Sequence, residues 1–278
     1  MTRQRTYMLT GIADALYVIL CWVFADGLFK LTDGMFWQSH AIADSTLWTY
    51  VLLALIIVAG VYQAQQIPAE GVTITPDPTS GTRGQVDDPV FWKLLLGNTY
   101  YALLWLPLRF YIGRDWLAAG EHKIRSDAWM DGGAALKGYW TGATTVPEGG
   151  TASRAAGTVG WFNDFLTYAL NHEWYTWFAK VIAIGEFMIG LGLLVGALVG
   201  IAAFFGSFMN INFMLAGTTS SNPVMFALTV FLVLGWKVAG FWGLDRYLLP
   251  ILRTPWNRYE DAQTAQTPPV DPTKPYHA

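Results

Sequence analysis

The sequence predicts an all-α membrane protein with about six transmembrane helices. Of its 278 residues, 53% are hydrophobic and only 13% are charged, whereas soluble domains carry roughly 25% charged residues. Aromatic residues make up 15% of the chain, and Trp and Tyr are enriched where membrane proteins cross the two faces of the bilayer. Long apolar runs alternate with polar stretches rich in Pro and Gly, so the runs are the candidate spans.

Charge and cysteine content exclude several classes of function. The net charge is −3 without a basic cluster, which argues against a nucleic-acid partner. Cys21 is the only cysteine, which excludes an internal disulfide, a Cys-ligated zinc and an iron–sulfur cluster. The histidines lie outside the apolar runs or at their ends, so a haem held between membrane helices is not expected. We therefore expect no metal, haem or iron–sulfur cluster.

Two spans are predicted in residues 1–90. The first covers about 7–29 and is long enough for the roughly 20 residues needed to cross the hydrocarbon core. The second covers 47–62, the most uniformly apolar span of the chain. The first is not a cleavable signal peptide, because no small-residue cleavage site follows it. Residues 65–90 are rich in Pro and Gly, which is typical of a solvated connector. A boundary is therefore predicted near residue 90.

Residues 91–250 are predicted to form a second unit with four spans and a cap. The third span, from Phe91 to about Lys123, carries charges and must face protein or water on one side. Residues 125–173 are polar but contain too many Trp residues for a disordered linker, which predicts an ordered cap. The apolar run 174–216 is about twice the length of one span and predicts a helical hairpin turning near 195–200. Residues 224–241 supply the last span, and 251–278 form a polar, Pro-rich tail.

An even number of spans places both termini on one side of the membrane. The positive-inside rule makes that side cytoplasmic, in the plasma membrane, and turns the 125–173 cap outward. The basic residues that share this side are Arg3, Arg5, Arg83, Lys93, Arg246, Arg253, Arg258 and Lys274.

A stripe of small and basic residues follows one face of the third span. Arg109, Gly113, Trp116, Gly120 and Lys123 are spaced by four, three, four and three, which keeps them together at 100° per residue. The two glycines permit close approach of another helix, and the two cations lie about 21 Å apart along the axis. One interpretation is an anion or polar-ligand site. The other is structural: Lys123 snorkels to the interface and Arg109 binds backbone carbonyls.

Several polar residues in the later spans need partners or contact a ligand. Glu186 lies in an apolar run, and a carboxylate there requires a partner or a neutral state; we predict that the partner is Arg109. This pair is either purely structural or includes a carboxylate that accepts protons or orients a ligand headgroup. Asn210 and Asn212 cap a helix, face water or contact a ligand, and Asn222 is predicted to cap the last span.

The same residues are similar to a known family. Positions 109–123 read RFYIGRDWLAAGEHK and resemble the R-x3-G-x6-G-x2-K signature that opens the DoxX/DoxD-like membrane proteins. Positions 186–196, EFMIGLGLLVG, resemble the second-helix pattern E-x3-G-x-x-L-x-x-G of that family. Asn212, Gly217, the pair 222–223 and the run 243–246 resemble its later landmarks in the same order. The resemblance covers about 95–250 and implies a four-helix bundle there, preceded by two extra helices in 1–90.

The resemblance also implies a function. The family includes the large membrane subunit of thiosulfate:quinone oxidoreductase, and the long cap is similar to that branch. It implies that quinone, as substrate, enters between helices while thiosulfate approaches Arg109, Arg114 and Lys123 from the outer face. Glu186 and Arg109 would then be the catalytic pair, with Glu186 handling protons. The residues expected to contact quinone or substrate are Arg114, Lys123, Trp116, Asn210 and Asn212.

A second function fits the sequence equally well. The chain would be a non-catalytic integral subunit that scaffolds a larger respiratory or photosynthetic complex, with residues 1–90 as its docking surface. In either case the expected partners are membrane lipids, quinone and other membrane or small accessory subunits.

Overall fold

The computed structural model describes residues 1–24, 47–72, 88–145, 158–218 and 221–252. Within these ranges the protein is helical, and an isolated antiparallel bridge between Thr158 and Ala216 is the only β-type pairing. The all-α prediction is therefore confirmed. Three helices are long and apolar enough to cross a membrane, which indicates a membrane protein.

The N-terminal helices form an antiparallel hairpin. Helix α1 spans Arg3–Phe24 and helix α2 spans Leu47–Gln66. Gly60 lies directly against Thr10, where any side chain would collide, so the glycine allows the two helices to pack closely. The guanidinium of Arg3 donates from Nε to the Ile67 carbonyl over 2.8 Å and ties the start of α1 to the end of α2. Residues 25–29, the end of the predicted first span, lie outside the described residues.

The prediction of one helix from Phe91 to Lys123 is wrong. The structure has helix α3 (Val90–Gly97), a 3-10 helix (Thr99–Trp105) and helix α4 (Leu106–Ile124). Asn98 is extended between the first two, and its side-chain oxygen accepts from the Tyr100 amide over 2.9 Å. This side-chain bond competes with helix continuation. Pro107 lies in the first turn of α4, where its missing N–H removes no helical bond.

The prediction of a helical hairpin after residue 174 is confirmed. Helix α8 spans Tyr175–Val195 and helix α9 spans Val199–Leu215. Gly196 ends α8 with a φ of 68°, a left-handed conformation that glycine adopts without a steric penalty. The carboxylate of Asp245 accepts from the Leu198 and Val199 amides over 2.5 and 2.9 Å. These bonds satisfy two backbone amides at the start of α9 that have no acceptor within the helix.

The last apolar segment is also divided. Helix α10 covers Asn222–Leu234, helix α11 covers Trp236–Ala239 and helix α12 covers Asp245–Ile251, so the predicted single helix over 224–241 ends early at Gly235. The expected cap at Asn222 is wrong, because Ser221 holds that position without a side-chain capping bond. Pro223 lies in the first turn of α10, where its missing N–H removes no helical bond. The tail 253–278 lies outside the described residues.

Three helices occupy the segment predicted as a cap. They are α5 (Asp127–Met130), α6 (Ala134–Thr144) and α7 (Gly160–Asn171); residues 146–157 lie outside the described ranges. These helices share an apolar core with the start of α8. Its buried residues are Leu136, Trp140, Ala143, Phe162, Leu166, Ala169, Tyr175, Ala179 and Ala216.

Close packing of α4 against α8 positions the polar residues discussed below. A side chain at Gly120 would collide with the backbone of Phe187, and one at Gly190 would collide with the backbone of Leu117. Gly113 likewise lies against Leu193 and Leu194. The predicted role of the glycine stripe in close helix approach is therefore confirmed. It brings the C-terminal half of α4 against the centre of α8.

Candidate functional site

A polar chamber of about 340 Å³ lies between the end of α4 and the cap. Helices α4, α8, α9 and α10 supply most of its lining, and the cap helices α5 and α6 contribute Trp129 and Tyr139. The chamber is lined by Asp115, Trp116, Ala119, Lys123, Trp129, Tyr139, Glu186, Asn210, Phe213, Thr218, Ser221, Asn222 and Met225.

An ion pair between Lys123 and Glu186 lies in the chamber wall. Lys123 Nζ is 2.5 Å from Glu186 Oε2, and the two side chains are 19% and 1% exposed. The Lys123 ammonium also lies 5.0 Å from the centre of the Trp129 ring, within the range of a cation–π contact. Burial of a lone carboxylate costs several kcal/mol, so the ammonium is what allows Glu186 to be charged there.

The predicted pairing of Glu186 with Arg109 is wrong. Glu186 meets α4 near its C-terminal end, because the neighbouring Phe187 packs on Gly120. Arg109 lies fourteen positions before Lys123, which is about 21 Å along the helix axis. The spacing of the stripe correctly placed both cations on one face, but it did not show which of them meets the carboxylate.

Arg109 instead binds backbone carbonyls, as the structural interpretation of this residue predicts. The side chain is buried, and Nη1 and Nη2 donate to the carbonyls of Ala239 and Trp242 over 2.8 and 2.7 Å. Gly196 lies against the guanidinium, where a side chain would crowd it. Arg109 therefore joins α4 to the end of α11 and the turn after it, away from the chamber.

Two more predicted site residues also lie outside the chamber. Arg114 donates from Nη1 to the Thr49 hydroxyl over 2.5 Å and lines a separate groove between α2 and helices α4 and α8. Asn212 donates to the Phe208 carbonyl of its own helix over 2.7 Å. The chamber thus gathers Lys123, Glu186, Trp116 and Asn210, but not Arg109, Arg114 or Asn212.

Two of the chamber residues have buried hydrogen-bond donors. Trp116 and Asn210 are buried, and Trp116 Nε1 and Asn210 Nδ2 have no hydrogen-bond partner among the described residues. The Trp116 nitrogen faces Gly206, one helical turn before Asn210 on α9. Unpartnered buried donors cost about 1–3 kcal/mol each. Of these two residues, Asn210 lines the chamber from α9 and Trp116 lines it from α4.

The residues predicted for the site did not include several that line the chamber, among them Asp115, Tyr139 and Thr218. The hydroxyls of Tyr139 and Thr218 lie 2.6 Å apart and join α6 to the end of α9. Asp115 lines the chamber from α4. At 100° per residue it lies about 80° around the helix from Lys123, outside the stripe, so spacing alone did not assign it to the site. Tyr139 and Thr218 could not be assigned either, because their proximity depends on the placement of the cap.

An apolar groove of about 590 Å³ adjoins the chamber. It runs between the cap helices α6 and α7 and the hairpin α8–α9, and it shares the residues Tyr139 and Phe213 with the chamber. These two rings meet edge to face with centres 6.0 Å apart. Other residues in its walls include Trp140, Phe162, Phe178, Met188, Phe205 and Phe208. A polar space and an apolar space therefore lie side by side, on either side of the Tyr139 and Phe213 rings.

Within the described ranges, no cluster of three or more His, Cys, Asp or Glu residues is arranged to hold a metal ion. No protein-family model matches the chain, and neither the curated proteins nor the solved structures contain a match to it. The DoxX/DoxD resemblance therefore rests on the motifs themselves, and what it implies remains a prediction.

Proposed function

We propose that this chain is a DoxX/DoxD-like membrane protein that reduces a quinone in the polar chamber with electrons from thiosulfate. The observation that carries the proposal is the contact between a charged chamber and an apolar groove through Tyr139 and Phe213. A quinone has a compact head with two carbonyl oxygens and a long apolar tail. The two cavities match these two parts.

The chamber supplies donors for the head and flat walls for the ring. The Lys123 ammonium and the Asn210 amide are both hydrogen donors, which suits the two carbonyl oxygens of a quinone. Trp129 and Phe213 supply aromatic surface. The groove then takes the tail among apolar and aromatic side chains, which stabilises it by about 25 cal/mol per Å² of apolar surface removed from water.

Glu186 and Asp115 are proposed to handle protons. Reduction of a quinone to a quinol consumes two electrons and two protons. Glu186 is held beside the chamber by Lys123, and Asp115 lines the same space. Each carboxylate first takes up a proton from water and then passes it to a quinone oxygen, since carboxyl groups within hydrogen-bond reach of a reacting oxygen are suitable proton donors.

The proposed binding position of thiosulfate differs from the one expected from the sequence. Of the three cations expected to attract the dianion, only Lys123 lines the chamber, and two carboxylates share that space. We therefore place thiosulfate at the cap side of Lys123 rather than inside the chamber with the quinone. Two thiosulfate ions would each lose one electron and join through a sulfur–sulfur bond as tetrathionate, which matches the two electrons taken by the quinone.

We also propose a number of membrane crossings and an orientation for the chain. Besides the three long apolar helices, α9 and α10 are shorter apolar helices of 17 and 13 residues. We propose that these and the α3–α4 region complete six membrane crossings in the plasma membrane. Both termini are then cytoplasmic, and the cap faces outward.

The test is quinone reduction by the purified full chain in lipid nanodiscs. Thiosulfate and a short-tailed quinone are added together, and quinone absorbance and tetrathionate are followed. We expect Glu186→Gln to lower the rate by about 10²-fold or more, and Lys180→Gln, an exposed charge on the same helix, to leave it unchanged. Absence of thiosulfate-dependent reduction by the unmodified chain, or an unaffected Glu186→Gln rate, would contradict the proposal.

A separate observation favours the non-catalytic alternative. A groove of about 1030 Å³ opens between α2 and helices α4 and α8, which gives the N-terminal hairpin a surface where a partner helix could dock. If this function is correct, the chain co-purifies from native membranes in fixed stoichiometry with a redox complex and has no activity alone. Recovery of an active lone chain would contradict it.

A further inference from the structure

Helix α7 has three distinct faces. At 100° per residue, Phe162, Leu166 and Ala169 share one face, and all three are buried in the cap core. Trp161, Phe165 and Tyr168 share the next face and are 64%, 38% and 51% exposed. Asp164, Thr167 and Asn171 form the third face and are also exposed. Among the described residues, packing within the chain explains only the first of these faces.

The exposed aromatic face continues onto a helix that can span the membrane. The rings of Phe165 and Tyr168 contact that of Trp174 with centres 6.2 and 5.6 Å apart, and Trp174 contacts Trp177 at 6.2 Å. Trp177 is 50% exposed at the start of α8. From there the exposed apolar surface continues along that helix through Val181, Ile184 and Met188.

We propose that α7 lies in the membrane–water interface, with its aromatic face among the lipid headgroups and upper acyl chains. Aromatic rings with polar edges favour this depth, and an amphipathic helix that lies there keeps its polar face in water. The polar face of Asp164, Thr167 and Asn171 satisfies that condition, and the remaining face packs on the protein. The proposal rests on the membrane assignment given above.

This placement changes the role of the cap. Phe162, Phe165 and Leu166 of α7 form part of the groove wall. With α7 at the interface, the groove lies at the depth of the upper lipid chains rather than under a lid in water. An apolar ligand tail then enters the groove sideways from the bilayer without crossing water.

A cysteine scan of α7 tests the proposal. The background is Cys21→Ala, which removes the only native thiol. Single cysteines are placed at 161, 165 and 168 on the aromatic face and at 164, 167 and 171 on the polar face. Ile184→Cys and Met188→Cys report on α8. The full chain is placed in nanodiscs, where both sides of the membrane are accessible, and the rate of reaction with a charged maleimide is measured at each position.

We expect the aromatic-face and α8 positions to react about tenfold more slowly than the polar-face positions, because the reagent requires the thiolate, which forms poorly in an apolar setting. After denaturation all positions should react alike. Equal rates on the two faces of α7, with 184 and 188 still slow, would overturn the interfacial placement and leave the membrane assignment intact. Fast reaction at 184 and 188 as well would overturn the membrane assignment itself.

A second measurement avoids dependence on any one cysteine variant. Lipids brominated near the headgroup should quench the fluorescence of the unmodified chain more than that of Trp161→Phe, because Trp161 is then in contact with them. Equal quenching of the two proteins would overturn the proposal. Protection of the aromatic face in native membranes but not in nanodiscs would also overturn it, since a protein partner would then cover this face.

Discussion

Lys123 and Glu186 form a buried ion pair between α4 and α8, with Nζ and Oε2 2.5 Å apart. The two ends of this pair differ in their access to water. Lys123 is 19% exposed and lies over Trp129, whereas Glu186 is 1% exposed. The pair therefore joins the two helices and depends more on the lysine than on the glutamate.

Loss of the lysine should be worse than loss of the glutamate. Lys123→Met leaves a buried carboxylate without a partner, which should lower the free energy of unfolding by about 3–5 kcal/mol. Glu186→Gln leaves an ammonium that can still reach water, so its effect should be smaller. The double variant should recover part of the loss. Denaturant unfolding in detergent measures all three, and equal losses in the two single variants would contradict the asymmetry.

Arg109 should be essential for stability but not for chemistry. Arg109→Lys keeps the charge but cannot reach two carbonyls in the same fork geometry, so it should lose about 1.5–3 kcal/mol for a charged hydrogen bond. Quinone reduction below the unfolding temperature should remain near normal. Lost activity in a variant that is still folded would instead assign Arg109 to the reaction.

Close packing at Gly120 should be required for the ion pair. Gly120→Ala forces α4 away from the backbone of Phe187 and should destabilise the protein by about 1–3 kcal/mol. It should also reduce quinone reduction, because Lys123 lies one turn beyond. The matched control is Gly138→Ala in α6, where a side chain meets open space; it should be neutral or stabilising by about 1 kcal/mol. Similar thermal stability of the two variants would contradict this packing.

Asn210 should contribute to ligand affinity through its unpartnered amide. Asn210→Ala should weaken binding of a quinone-site inhibitor by about tenfold, the equivalent of one hydrogen bond. Asn171→Ala is the control, because Asn171 is exposed at the end of α7 and lines neither the chamber nor the groove. Calorimetric titration of the two variants measures the difference. Equal affinities would place the ligand elsewhere.

Helical spacing predicted the face of α4 correctly but not its contacts. The interval from Arg109 to Lys123 put both cations and the two glycines on one side, and the glycines do pack against α8. Helical spacing could not show which basic residue pairs with Glu186. The pairing depends on the level at which α8 crosses α4, and periodicity carries no information on the relative height of two helices.

A local hydrogen bond explains why the predicted third span is interrupted. The hydrophobic run from 91 to 123 gave no sign that the Asn98 side chain would bond to the Tyr100 amide and interrupt the helix. The hairpin turn at Gly196 was predictable, since two glycines interrupt an apolar run that is too long for one span. The contact between Tyr139 and Thr218 could not be predicted from the sequence, because it depends on how the cap folds onto the bundle.

Photo-crosslinking with an azido-quinone that carries an isoprenoid tail tests whether a quinone binds in the chamber and the adjoining groove. The probe is bound to the full chain in nanodiscs, activated by light and located by peptide mapping, with excess unlabelled quinone as competitor. We expect labelling in α6 and α9 around Tyr139 and Phe213 that the competitor reduces, and loss of this labelling in Phe213→Ala. Labelling confined to α2 and the groove beside it, or labelling that the competitor does not reduce, would contradict a quinone site in the chamber.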